Sequence, residues 1–156
     1  MGNGVGKRMI DVTEVQIGDL YQMAPGQVYF PSDHSESFLG GIINENVVAV
    51  ALNEADGFPV DQPAHWKRPM GLVFNDVRFE VDESSVARLE RGNRPEIGNL
   101  ILNAGGLWLF ATSEGGAHFV GLRPADRGVR DDALAFAKWQ IVRGPKETPQ
   151  ILFSKG

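Results

Sequence analysis

Apolar and polar residues alternate with a period of two through most of this chain, and the alternation keeps being cut short. Nineteen glycines and nine prolines divide 156 residues into brief runs. A period of two places successive side chains on opposite faces of an extended strand. Runs this short, bounded by turn residues, cannot supply the crossover helices of a doubly wound α/β fold. The pattern predicts an all-β, mostly antiparallel fold, a β-sandwich or a β-barrel, with one short helix near 83–91.

Strands are expected over 12–17, 19–23 and 27–30, with Pro25-Gly26 turning the chain between the last two. Segments 38–43 and 47–52 form a hairpin around Asn44-Glu45-Asn46. Further strands are expected over 71–74 and 77–81, bent at Asn75-Asp76. The helix would run from an Asp82 cap to Gly92, with Val86 and Leu89 facing inward. The clearest hairpin pairs 107–112 with 117–122 across a turn at Glu114-Gly115, with Gly115 free to take φ > 0. That turn sets a register in which Phe110 faces Phe119, Trp108 faces Gly121 and Leu109 faces Val120. Both faces of 107–111 are apolar, as in a sandwich centre, a filled barrel or a subunit interface. Segment 133–142 also alternates, although its first half could instead be a helical turn capped by Asp131. Residues 150–153 are expected to pair back on 139–142.

Residues 9–156 read as a single β domain behind a flexible leader over 1–8. Lys7 and Arg8 have no apolar stretch after them, so the leader does not read as a signal peptide and the expected compartment is the cytoplasm. The chain has no cysteine, which excludes disulfides, thiolate metal sites and a cysteine nucleophile. Net charge is −5 and no Lys/Arg stripe is present, which disfavours nucleic acid. No apolar run approaches a membrane span.

The stretch Gly18-Asp19, Leu20-Tyr21-Gln22-Met23, Ala24-Pro25-Gly26 and Tyr29 resembles the second conserved motif of the cupin superfamily. Tyr29 stands where that motif carries a metal-ligating histidine. The resemblance implies a β-sandwich or barrel with a Pro-Gly turn.

Serine-hydrolase, zinc-helix and phosphate-loop motifs are absent. His34, His65 and His118 are scattered, with Asp33, Glu36, Asp61 and Glu114 near them in sequence. The strongest candidate is the proline-rich loop 56–69. His65, Trp66, Lys67 and Arg68 there set an imidazole, an aromatic plate and two cations side by side, a combination suited to an anionic or sugar-like ligand or a partner protein. A blander reading makes Trp66 a plug closing one barrel end. The leading expectation is a non-enzymatic ligand-binding or assembly module, with a homo-oligomer as one form and no cofactor. The alternative is a small β-barrel enzyme, metal-dependent or not, using scattered histidines and carboxylates.

Overall fold

The hairpin read most clearly from the sequence anchors the structure. In the computed structural model, β10 (Gly106–Ser113) pairs antiparallel with β11 (Gly116–Gly121). Phe110 faces Phe119, Trp108 faces Gly121 and Leu109 faces Val120, and the two phenylalanine rings lie 4.7 Å apart. The positive φ falls on Gly116, at 125°, and not on Gly115 as expected. The structure describes residues 15–18, 24–31, 36–61, 71–74, 76–90, 94–103, 106–123, 126 and 132–156. The leader over 1–8 and the strand expected over 19–23 lie outside them.

Twelve further strands are described. They are β1 (Val15–Gly18), β2 (Val28–Pro31), β3 (Phe38–Ile43), β4 (Asn46–Ala51), β5 (Val60–Asp61), β6 (Gly71–Phe74), β7 (Arg78–Val81), β8 (Val86–Leu89), β9 (Leu100–Asn103), β12 (Ala133–Phe136), β13 (Trp139–Arg143) and β14 (Gln150–Lys155). Eleven form one curled sheet in the order β1-β6-β2-β3-β11-β10-β9-β12-β8, with β4 and β5 branching from β3. The branch arises because β2 pairs with the start of β3 while β11 meets it at Ile42, leaving the other edge to β4. The sequence β14-β13-β7 forms a second sheet. All these pairings are antiparallel, so the fold is all-β, a curled half-barrel with a three-stranded sheet against it.

Two runs that read as continuous in sequence pass from one sheet to the other. The chain bends at Asp76 between β6 and β7, as expected. Between β12 and β13 it bends at Ala137-Lys138. Segment 133–142 is therefore two strands in two sheets, not one strand or a helical turn.

The helix expected near 83–91 shrinks to one 3-10 turn, Glu83–Ser85. Asp82 caps it, accepting from Ser84 N at 2.9 Å and Ser84 Oγ at 2.6 Å. These bonds from Ser84 hold the Asp82 carboxyl below its ordinary pKa. Helix growth stops because Val86–Leu89 finds the free edge of β12, with Val86 opposite Phe136 and Leu89 opposite Ala133. A sheet edge supplies backbone partners at once, whereas an isolated helix this short is marginal. Val86 is consequently 46% exposed instead of inward-facing.

The main core lies between the sheets. Val28, Leu39, Val50, Leu100, Leu109 and Val120 enter it from the large sheet, Trp139 and Ile141 from the small one. The doubly apolar β10 is covered by its own chain. Leu107, Leu109 and Ala111 join the main core, while Trp108 packs with Ile101, Ala133 and Ala135. Tyr29, at the position of the cupin histidine, is fully buried with Phe38, Ala49, Ala51 and Val73. Among the described residues no helix is long and apolar enough to cross a membrane.

Candidate functional site

The first half of loop 56–69 is fixed against the two neighbouring strands. Asn53 turns the chain, donating from Nδ2 to Asp56 Oδ2 at 2.9 Å and to Glu36 Oε2 at 3.0 Å, and accepting from Asp56 N at 3.1 Å. Gly57 follows with φ 74° and Phe58 with φ 54°. Phe58 is 1% exposed, its ring centroid 5.9 Å from those of both Trp139 and Phe153. Among the described residues of the loop, Phe58 plugs the core. Gly57 O accepts from Thr112 N and Thr112 Oγ1, at 3.2 and 2.8 Å, and Pro59 O accepts from Ala51 N at 2.9 Å. This half of the loop is stitched to both β4 and β10.

The second half carries His65, Trp66, Lys67 and Arg68, which lie outside the described residues, as does His34. The described residues nearest to them in sequence meet in one place. Asp61 precedes the segment 62–70, Glu36 follows the segment 32–35, and both line a groove of about 670 Å³.

Three elements build this groove: the tip of the β3–β4 hairpin, the strand β5, and the tip of the β10–β11 hairpin. Its floor is apolar, made by Phe38, Val48, Ala51, Pro59 and Val60. Phe38 and Ala51 belong to the small core around Tyr29, so the floor is rigid. Polar groups stand over it: Asn44 and Asn46 from one tip, Ser113 and Glu114 from the other, with Glu36, Asp61 and His118 between. His118 lies opposite Ala111 and is half-buried. It lines the groove.

Apart from the donors of Asn44, Asn46, Ser113 and His118, the rim consists of oxygen acceptors. No lysine or arginine is among the described lining residues. Among the described residues, no three histidine or carboxylate side chains are placed to hold a metal ion. The sequence identifies both hairpin tips but not their neighbourhood, because that follows from the meeting of β11 with β3 at Gly121 and Ile42. Gly41 permits the contact: a Cβ there would lie 2.1 Å from Val120 Cγ1.

A curled antiparallel sheet, a smaller sheet closing its core and an open groove between hairpin tips define a two-sheet β domain with an apolar-floored surface cleft. Within that class the chain belongs to the Y4lG family, whose model, described as "Uncharacterised protein y4lG", matches residues 17–155. No curated protein and no solved structure matches the chain.

Proposed function

We propose that the domain is a non-enzymatic binding module whose ligand seats in the groove between the β3–β4 and β10–β11 tips. The observation that carries this reading is an apolar floor under an acceptor-rich rim in one concavity of about 670 Å³. Small-ligand sites combine a largely apolar lining with a few placed polar groups, and volumes of this order are typical of them. Acceptors on the rim call for donors on the ligand. A sugar-like molecule meets that demand with hydroxyl groups, whose oxygens can in turn accept from the Asn44 and Asn46 amides and from His118. An anionic ligand in this groove would meet the carboxylates of Glu36, Asp61 and Glu114. The assembly form of the reading loses its first support, since β10 is covered on both faces by its own chain.

A thermal-shift panel of neutral sugars, polyamines and carboxylates tests the proposal. Sugars are expected to raise Tm in the unmodified protein and to lose that effect when Asp61 and Glu114 are both replaced by alanine, with folding checked by circular dichroism. No shift with any sugar, or a shift that survives the double substitution, would overturn it.

A second reading rests on His118 sharing the groove with three carboxylates. An imidazole beside an acid is the ordinary equipment of proton transfer, and hydrolysis of a bound glycoside lost in His118→Ala while binding persists would favour an enzyme.

A further inference from the structure

A second cavity, of about 600 Å³, opens where the two sheets part, and among the described residues it shares no lining residue with the groove above. Its walls are inner faces of both sheets: Leu100, Leu102 and Leu107 from β9 and β10, Phe79 and Val81 from β7. Leu102 and Leu107 are register partners. Leu100 and Leu107 belong to the main core, and Phe79 and Val81 pack against it. The cavity is therefore the open end of that core, which leaves Leu102 36% exposed.

The charge at this opening is reversed. Arg78 and Arg123 line it, and no carboxylate does among the described residues, in a chain of net charge −5. Asp126 accepts at Oδ2 from the backbone N–H groups of Leu107 and Arg123, at 3.0 and 3.1 Å. Arg78 donates from Nη1 to Gly144 O at 2.5 Å, while its Nη2 is buried without a hydrogen-bond partner. A buried guanidinium nitrogen left unpaired is costly. Guanidinium groups pair by charge with carboxylate or phosphate oxygens, so Arg78 and Arg123 at the mouth favour an anionic head group.

We propose that this cavity binds a small amphipathic carboxylate, its apolar body between the sheets and its head group against Arg78 and Arg123. The apolar walls supply burial for a chain or ring, and the arginines fix which end stays at the mouth. A neutral molecule with the same body loses the charge-assisted bonds, and a cationic one meets like charge.

Calorimetric titration with decanoate, decanol and decylammonium tests this. Decanoate is expected to bind about tenfold more tightly than decanol, the size of one charge-assisted hydrogen bond, and decylammonium not at all. Arg78→Met and Arg123→Met should each remove that preference and leave decanol binding unchanged, while Leu102→Trp should block both ligands. Methyl chemical shifts of the unmodified protein supply a check that needs no variant: decanoate should move Leu100, Leu102 and Leu107 and leave Val48 and Val60 in place. Equal affinity for decanoate and decanol, no binding of decanoate, or shifts confined to Val48 and Val60 would each overturn the proposal.

Discussion

Phe58 shows how much one side chain can settle. A bulky residue at φ 54° holds a conformation that L residues rarely adopt, and it does so because its ring fills the space between Trp139 and Phe153. The Trp139 indole is fixed in turn, donating from Nε1 to Gly98 O at 2.8 Å. Gly98 has no room for a side chain, since an added Cβ would stand 2.8 Å from Phe58 Cε2. Phe58→Ala would leave a cavity that Trp139 and Phe153 cannot collapse into. It is expected to cost about 4 kcal/mol, read as a lower urea midpoint with an unchanged slope. A cost near 1 kcal/mol would mean that the loop, not the ring, holds this end of the core. The sequence marks loop 56–69 as special but does not distinguish Phe58 from Trp66 as its plug. Both are aromatics among prolines; the bonds from Thr112 and Ala51 to Gly57 and Pro59 fix Phe58 in the core, and Trp66 lies outside the described residues.

At the scale of elements, legibility followed the reach of the interaction. A two-residue turn sets the register of its own hairpin, so the pairings of β10 with β11 and of β3 with β4 were open to sequence reasoning. The placement of 86–89 was not, because the competitor to a helix is the edge of β12, some fifty residues away in sequence. The same limit hid the groove, whose two tips are adjacent only through β3 and β11. The β3–β4 turn still carries a local conflict. Asn44 and Glu45 have φ of 49° and 69°, the signature of a type I′ turn. Asn-Gly suits that turn, and glutamate at its second position does not. Glu45→Gly is expected to stabilise the protein by about 0.5 kcal/mol, the left-handed penalty less the extra entropy of glycine. A higher urea midpoint would show it, and a lower one would mean that the Glu45 side chain contributes more than its backbone strain removes.

For the whole molecule the question is what keeps two sheets together when one end of the core stands open. Part of the answer is an ion pair at the first crossing. Arg143, at the end of β13, meets Asp76 in the bend between β6 and β7, with Nη2 2.8 Å from Oδ2 and Nε 3.0 Å from Oδ1. Its guanidinium also stacks over Phe74 of β6, 4.8 Å from the ring centroid. One side chain of the small sheet thereby grips the large one. The two partners are not equally buried, since Arg143 is 6% exposed and the Asp76 side chain 32%. That asymmetry predicts unequal variants. Asp76→Ala strands a buried cation and is expected to cost about 3 kcal/mol, whereas Arg143→Met keeps the apolar contact with Phe74 and leaves Asp76 near water, costing about 1 kcal/mol. The double substitution should be no worse than Asp76→Ala alone, because with the cation gone nothing remains stranded. A double-mutant cycle in urea measures the coupling. Equal single costs that simply add would show that the two residues stabilise the protein independently and that the sheets are joined by the shared core alone.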